Sequence, residues 1–279
     1  MEQTTTPATN PARLWKTYVP TVDRHLPQWA RRSDPIVRRH LGIYWKILPL
    51  EVDVLSRIYL VQVALIGVSV LIPIVLPLVF TLLPVSMVML PFVAFAYARV
   101  LATIGLFTTR LMVEEQEHHT LALLRTTPIS LRHILYSKAA AGVWRQIEDL
   151  SLILMGAALL SMPVIGLQYA MYWPLESELV ISRIGLVLAL GASLLRLVLE
   201  PFMIAALAIV IGAGVPSRVA AATSLGVAGA FYFGLINLPR LLTMPPELRI
   251  LLETVLPVVL PLVIIAMSFR LALYILTRD

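Results

Sequence analysis

The sequence contains no cysteine among its 279 residues, which excludes disulfide bonds, thiolate metal ligands and a thiol nucleophile. Charged residues are also scarce, at 14% of the chain, whereas soluble domains carry about 25%. Lysine occurs only at Lys16, Lys46 and Lys138, and none of the three follows a glycine-rich turn. The phosphate-binding loop of ATPases is therefore absent. We expect a chain that is not an enzyme and that holds no cofactor of its own.

The five histidines lie outside the longest apolar tracts, at His25, His40, His118, His119 and His133. A serine within a bilayer would therefore find no histidine base at its own depth. Because His118 and His119 are adjacent, their side chains on a helix point about 100° apart, which is unsuitable for binding one metal ion. The sequence predicts no catalytic residue and no metal site.

Apolar residues make up 59% of the chain, and the mean hydropathy is +0.86. A helix that crosses a hydrocarbon core of about 30 Å needs roughly 20 apolar residues. The sequence predicts an all-α membrane protein whose residues 57–279 form a six-span domain. The predicted spans cover about residues 57–83, 85–111, 138–162, 183–214, 219–238 and 250–276. The fourth is the longest and is expected to be kinked or partly re-entrant.

The N-terminal region has a different composition. Residues 1–33 are rich in threonine, proline and charge without a sustained period, which predicts a partly disordered cytosolic tail. Asp34 and Pro35 are typical of a helix start. Apolar residues then recur at helical spacing until Pro49, so residues 34–56 are predicted to hold an amphipathic helix in the membrane interface and its connection. A helix packed on a soluble partner is the alternative.

The charge distribution predicts the topology. If consecutive spans cross the membrane in opposite directions, most of the 22 lysine and arginine residues lie on the same side as the N-terminal tail. By the positive-inside rule, both termini and the polar stretch after the second span lie in the cytosol, and the protein resides in the cell membrane. The net charge of +6 then reflects this topology, and no nucleic-acid partner is expected.

A few charged residues fall inside the predicted spans. Arg99 lies mid-span. Placing a charged arginine in the lipid core costs free energy, so Arg99 should face protein or water. Arg196 and Glu200 are spaced i, i+4 and are close enough to pair. Glu148 and Asp149 are expected in the cytosolic third of the third span. Internal hydrogen bonding is the first interpretation of Arg99, Arg196 and Glu200, and a solvated or interfacial network near the cytosolic entrance is that of Glu148 and Asp149. Substrate contact is the alternative, with anionic head groups as the natural ligands of Arg99.

A charged and polar stretch runs from Glu114 to Lys138, between spans two and three, and we call it the polar segment. Its sequence, EEQEHHTLALLRTTPISLRHILYSK, resembles a cytosolic loop in the membrane subunits of type-2 ABC exporters, which typically reads ExExGTLExLLxTPxSxxxIxxGK. The matching positions are Glu115, Glu117, Thr120, Leu121, Thr127, Pro128, Ser130, Ile134 and Lys138, and the leucine pair of the pattern is matched by Leu123 and Leu124, one position earlier. The departures are His119 and Ser137 in place of glycine, and Ala122 in place of an acidic residue.

Two further stretches carry the resemblance. DPIVRRHLG at 34–42 is similar to the interfacial helix of that family, and IGAGVPSRVAA at 211–221 is similar to its turn between spans four and five. The resemblance implies a permease subunit that forms a homo- or heterodimer with a second permease chain. It also implies two separate cytosolic ATPase subunits, which would hold the ATP and magnesium, docked on a coupling loop at 112–137.

The residues themselves favour a docking role for this loop. A short helix at about 118–125 would expose Leu121 and Leu124 to water unless a soluble partner covers them, and Thr127 with Pro128 would end it. We expect this coupling helix to bind the ATPase and to pass its motion to spans two and three during export. The alternatives are a loop folded back on its own bundle, a permease-like anchor or assembly subunit without transport, and an ion-coupled secondary transporter.

Overall fold

The computed structural model describes residues 25–41, 49–118, 120, 126, 128–172, 179–242 and 245–278. Within these residues every regular element is a helix. The α-helices are α1 (Pro35–Leu41), α2 (Leu50–Val68), α3 (Leu76–Phe80), α4 (Leu83–Glu117), α5 (Leu131–Arg145), α6 (Ile147–Tyr172), α7 (Leu179–Gly214), α8 (Arg218–Leu241) and α9 (Pro246–Arg278). The all-α prediction is confirmed for this part of the chain.

Five of these helices contain stretches long and apolar enough to cross a membrane. The stretches are Leu83–Glu117, Ile147–Tyr169, Arg183–Gly214, Arg218–Leu238 and Leu251–Arg278. They correspond to the second to sixth predicted spans. The protein is therefore a multi-pass membrane protein with five candidate spanning helices among the described residues.

The first predicted span, residues 57–83, is not one helix. α2 ends at Val68, and a 3₁₀ turn at Pro73–Val75 separates it from the short α3. The interruption has a local cause, because a proline disfavours helical geometry in the residue before it and donates no backbone hydrogen bond. The first half of α2 also carries three charged residues, Glu51, Asp53 and Arg57.

The third predicted span also differs from the observed helices. The helix that starts at Leu131 breaks at Gln146, and α6 then continues through Pro163 to Tyr172. Most of the connection predicted at 163–182 is therefore helical, and residues 173–178 lie outside the described part. Proline is tolerated inside a membrane helix because neighbouring helices can satisfy the freed carbonyl.

Helix α1 begins where the sequence predicts. The Asp34 carboxylate accepts hydrogen bonds from the backbone N–H groups of Ile36 (3.0 Å) and Val37 (3.3 Å), as expected of an N-cap. Val37 is buried with Ala140 and Ala141 of α5, so the apolar side of α1 packs on protein. The remainder of the predicted interfacial helix, residues 42–48, and the tail at residues 1–24 lie outside the described residues.

Helix α7 is the central element of the bundle and contacts α4, α5, α6, α8 and α9. It is continuous from Leu179 to Gly214 despite Pro201, so the prediction of a partly re-entrant span is wrong. α4 runs parallel to α7, because Tyr97 lies beside Leu197 and Gln116 lies beside Ala213. The two helices therefore share their direction over several turns.

Helix α9 also runs parallel to α7. Glu253 near its start shares a small cavity with Arg196, and Ile275 near its end lies next to Gly214. The C-terminal ends of α4, α7 and α9 consequently gather at one end of the bundle. We call it the segment end, since the polar segment starts there.

Two glycines permit close helix crossings with α4. A Cβ at Gly212 of α7 would lie 2.7 Å from the Cβ of Met112, and a Cβ at Gly142 of α5 would collide with the hydroxyl of Thr108. Small residues at such crossings let membrane helices approach closely. The second half of α4 is therefore held tightly between α5 and α7.

Two clusters of buried apolar side chains divide the core. The larger surrounds the second half of α7 and includes Ile104, Met112, Leu135, Met203 and Ile209. The smaller surrounds the first half of α7 and includes Ile66, Val79, Met162 and Leu186. Leu197 packs against both clusters, so they meet at the middle of α7.

Candidate functional site

The structure describes much of the polar segment: residues 114–118, 120, 126 and 128–138. Among the predicted coupling residues, it therefore describes Glu115, Glu117, Thr120, Pro128 and Ser130. The apolar positions of the predicted coupling helix, Leu121, Leu123 and Leu124, lie outside the described residues, as does Thr127. The predicted docking surface itself thus stays a prediction.

A buried ion pair joins the two flanks of the polar segment. Lys138 of α5 donates from its Nζ to the Oε2 of Glu115 on α4, and the two side chains are 0% and 9% exposed. The same Nζ lies 3.4 Å from the Sδ of Met112. Removing one partner of a buried pair leaves an uncompensated charge and is strongly destabilising. The pair therefore locks α4 to α5 where the segment leaves and re-enters the bundle.

The residues beside Glu115 attach α4 to the turn between α7 and α8. The Gln116 amide donates to the carbonyl of Ala213 at 2.6 Å, which satisfies a carbonyl in the last turn of α7. Arg218, the first residue of α8, bonds Glu117 at 2.7 Å and lies 3.6 Å from Glu114. These ion pairs are partly exposed, so each contributes little to stability. Together they fix the position of the α4 end.

The end of α4 and the start of α5 are capped by residues of the segment. The Thr120 hydroxyl donates to the carbonyl of Glu115 at 3.4 Å. Ser130 is the N-cap of α5 and accepts from the backbone N–H of His133 at 3.3 Å. The His133 ring nitrogen is 2.5 Å from Asp34, the N-cap of α1. Helix α1 is thereby tied to the start of α5.

His40 of α1 lies near the buried ion pair. Its burial, together with the positive charges of Lys138 and Arg39, lowers the pKa of His40 to about 4. The ring is consequently neutral at physiological pH. An additional positive charge so close to Lys138 would oppose the compact packing of α1 on α5.

A second polar cluster lies in the middle of the candidate spans. Glu200 of α7 is fully buried, and its carboxylate accepts from the Arg196 Nε (2.6 Å), the Tyr97 hydroxyl (2.9 Å) and the Tyr232 hydroxyl (2.9 Å). The pairing predicted for Arg196 and Glu200 is confirmed. Three donors from α4, α7 and α8 converge on one carboxylate, which compensates its charge away from water.

Tyr97 has a second role in this cluster. Pro201 has no N–H, so the carbonyl of Leu197 loses its usual helical partner. The Tyr97 hydroxyl lies 3.0 Å from that carbonyl and therefore stands where the missing donor would be. It shares its single proton between the Leu197 carbonyl and Glu200, and so compensates α7 for the hydrogen bond that Pro201 cannot make.

An open cavity of about 390 Å³ adjoins this cluster, between α4, α6 and α7. Its polar wall contains Arg196, Glu200, Tyr97, Ser193 and Gln168, and its apolar wall contains Leu90, Ala94, Ala157, Val164, Ile165 and Phe233. A mostly apolar concavity with a few convergent polar groups is the typical form of a small-molecule site. Its volume lies at the small end of the range of such sites.

The other predicted charges lie elsewhere. Arg99 is exposed on the outside of α4, does not line the cavity, and makes no ion pair with a residue that the structure describes. Glu148 and Asp149 occupy the first turn of α6, where negative charge complements the helix dipole. Asp149 is exposed and Glu148 is half-buried. These three residues therefore do not join Arg196 and Glu200 in one site.

Sequence reasoning missed the two tyrosines and the role of Lys138. Tyr97 and Tyr232 are distant in sequence from Glu200, and the only signal was a hydroxyl within each apolar tract. Lys138 was among the motif matches, but its partnership with Glu115 depends on the antiparallel placement of α4 and α5. Within the described residues no group of three or more His, Asp or Glu side chains is arranged to hold a metal ion.

Comparison of the chain with known protein families, with curated proteins and with solved structures finds no match.

Proposed function

We propose that this chain is the permease subunit of a type-2 ABC transporter. It would form the membrane pathway for an unidentified substrate, while separate cytosolic subunits hydrolyse ATP to drive export. The observation that carries the proposal is the connection between the polar segment and the cavity. Glu115 lies at the end of α4, where the segment begins, and pairs with Lys138 of α5; the same helix α4 lines the cavity through Leu90, Ala94 and Tyr97.

This connection offers a mechanical route for coupling. Residues 97 and 115 belong to one uninterrupted helix and are separated by about 27 Å at 1.5 Å per residue. Since Lys138 clamps α5 to the same point, a push on the segment would move both helices as one body. If the contacts of Gln116 and Arg218 with the α7–α8 turn break in the same step, Tyr97 would shift relative to Glu200 on α7 and change the cavity, which is the type of rigid-body movement that alternating access requires.

The arrangement of the segment end supports the topology of such a subunit. The capped start of α5, the α7–α8 turn and the end of α9 lie at the same end as α1. Arginines are frequent there, which favours the cytosolic side. We infer six spans, with α2 and α3 together as an interrupted first span, both termini in the cytosol, α1 at the interface of the cell membrane, and a second permease chain as partner.

A permease-like anchor or assembly subunit without transport is the competing function. It would need the docking segment but no pathway. The cavity and its buried charges favour transport. Burying an ionisable group in a membrane costs free energy, and such groups usually line the path of a substrate or an ion.

The docking step can be tested by co-purification. The double variant Leu121→Asp/Leu124→Asp should lose the ATPase subunit that co-purifies with the unaltered chain, because it places two charges on the predicted docking face. Ala122→Glu is the matched control: it adds one charge to the same helix at a position where the resembling family is acidic, and it should retain the ATPase. Full retention by the double variant, with unchanged ATPase activity, would refute the proposal.

A further inference from the structure

The Arg196 guanidinium has unused hydrogen-bonding capacity in the middle of a candidate membrane span. Of its five N–H groups, the Nε–H bonds Glu200 at 2.6 Å and a further one serves the Tyr232 hydroxyl. About 20% of the side chain stays exposed, and the residue lines two adjoining cavities. The terminal nitrogens of an arginine form a planar fork that matches carboxylate and phosphate groups.

The negative charge of Glu200 is compensated without the remaining N–H groups of this guanidinium. Two tyrosine hydroxyls, from Tyr97 and Tyr232, already donate to its oxygens, so the carboxylate is compensated by three donors. The arrangement holds Arg196 in one orientation through Glu200 and the Tyr232 hydroxyl and leaves the other N–H groups of a cavity-lining guanidinium for a ligand. An arginine fixed by one carboxylate is preorganised to bind a second anion, because little side-chain entropy remains to be lost.

The walls around Arg196 indicate what accompanies that anion. The larger cavity is lined mostly by aliphatic and aromatic side chains, including Leu90, Val164, Ile165 and Phe233. Its volume of about 390 Å³ suits one hydrocarbon chain better than a large soluble solute. The cavity is open, so a chain could enter sideways from the bilayer.

Two acidic residues lie near Arg196: Glu200, whose carboxylate already accepts three hydrogen bonds, and Glu253, which would favour a cationic ligand. Glu253 lines the smaller cavity together with Arg196, and its two oxygens lie 3.3 Å from the Gln168 amide nitrogen. A cationic ligand would bind near Glu253, whereas an anionic ligand would bind Arg196. The larger cavity contains Arg196 but not Glu253, which favours the anion.

We propose that this cavity binds an amphiphile with one anionic phosphate or carboxylate head group, held by Arg196, and with its hydrocarbon chain against α4 and α6. The inference rests on the proposed function, since it names the substrate class of the same pathway. Binding can nevertheless be measured without the ATPase, so a failure of ATPase docking and a failure of this site give different results.

The test measures thermal unfolding of the full chain in dodecyl maltoside micelles. Dodecyl phosphate should raise the Tm by roughly 3 °C, because a ligand of the folded state stabilises it by mass action. Dodecyltrimethylammonium, which has the same chain and the opposite charge, should give no such rise. An equal or larger rise with the cationic probe would overturn the proposal and assign the site to Glu253.

Three variants locate the effect. Arg196→Gln/Glu200→Gln removes the buried pair without leaving a lone charge, and it should abolish the rise. Ser161→Leu fills the cavity and leaves the charged cluster intact, so it tests the same site if the double variant does not fold. Arg99→Gln removes an arginine from the outer surface of α4 and should keep the full rise. An unchanged rise in the first two variants would contradict the proposal.

The source of the ligand is distinguished by a further probe. Phosphatidic acid added to the same micelles carries a phosphate on two chains. A rise with both probes assigns the ligand to the bilayer lipids, and a rise with dodecyl phosphate alone assigns it to a single-chain amphiphile. Either outcome supports an anion site at Arg196, whereas no rise with either probe would refute it.

Discussion

Two buried glutamates in this chain have cationic partners, and they differ in how those partners are arranged. Glu115 is paired with Lys138 from another helix, and the lysine is sealed from solvent. Glu200 is paired with Arg196 one turn away on the same helix, and the arginine is about 20% exposed beside a cavity. The first pair clamps two helices together, and the second leaves hydrogen-bonding capacity for a ligand. A buried ion pair therefore has a mechanical or a binding role according to which partner stays accessible.

The largest effect is expected at the sealed pair. Lys138→Met should destabilise the folded chain by about 3–5 kcal/mol, because Glu115 would remain charged and unpaired in the core. It should be visible as a large fall in Tm in detergent. The double variant Glu115→Leu/Lys138→Met leaves no lone charge and should recover most of that loss. If the single variant were as stable as the native chain, the clamp between α4 and α5 would be disproved.

The second prediction concerns the cluster around Glu200. Tyr97→Phe removes the donor that serves both Glu200 and the Leu197 carbonyl, so it should destabilise by about 1–3 kcal/mol. Tyr232→Phe is the matched control, because it removes one bond to the same carboxylate and leaves the backbone of α7 satisfied. Thermal unfolding should rank Tyr97→Phe as the more damaging. Equal losses would show that the freed carbonyl at Pro201 contributes nothing.

The two clusters also differ in how far the sequence could predict them. Arg196 and Glu200 are four positions apart, and helical geometry alone brings such residues together, so their pairing followed from the sequence. Glu115 and Lys138 meet only because α5 folds back against α4, and no local rule states which of several charged residues near the turn will be buried. Tyr97 and Tyr232 reach Glu200 from other helices and depend on tertiary packing in the same way.

The same reasoning applies to the helices. Hydropathy over a window of about 20 residues identifies a span from its own sequence, and five of the six predicted spans have a corresponding candidate helix. The first failed as a continuous helix because Pro73 interrupts it, whereas Pro201 does not interrupt α7. Tyr97 from α4 replaces the hydrogen bond that Pro201 cannot make. The hydrogen bond that compensates Pro201 thus comes from a neighbour that a window along the chain does not include.

The third prediction concerns the effect of His40, which lies near the sealed pair, on stability at acid pH. In the folded chain His40 stays neutral down to about pH 4, whereas in the unfolded chain it takes up a proton near its ordinary pKa of 6.5. Acidification between these values therefore favours the unfolded state, and His40 contributes a loss of stability as pH falls. His40→Gln cannot be protonated, so its Tm should fall less between pH 7 and pH 4.5, by roughly 3 °C. Identical acid sensitivity of both proteins would contradict the lowered pKa.

The smallest effect on stability is expected for the solvent-exposed ion pairs of Arg218, at the same end of the bundle. Arg218 bonds Glu117 at 2.7 Å and approaches Glu114, but its side chain is 48% exposed. Arg218→Ala should therefore lower the Tm only slightly, and added salt should reduce even that difference because exposed charges are screened. Measured beside Lys138→Met, the variant separates the two kinds of contact that hold the segment end. A loss from Arg218→Ala as large as that from Lys138→Met would mean that the α7–α8 turn, and not the sealed pair, carries the attachment of α4.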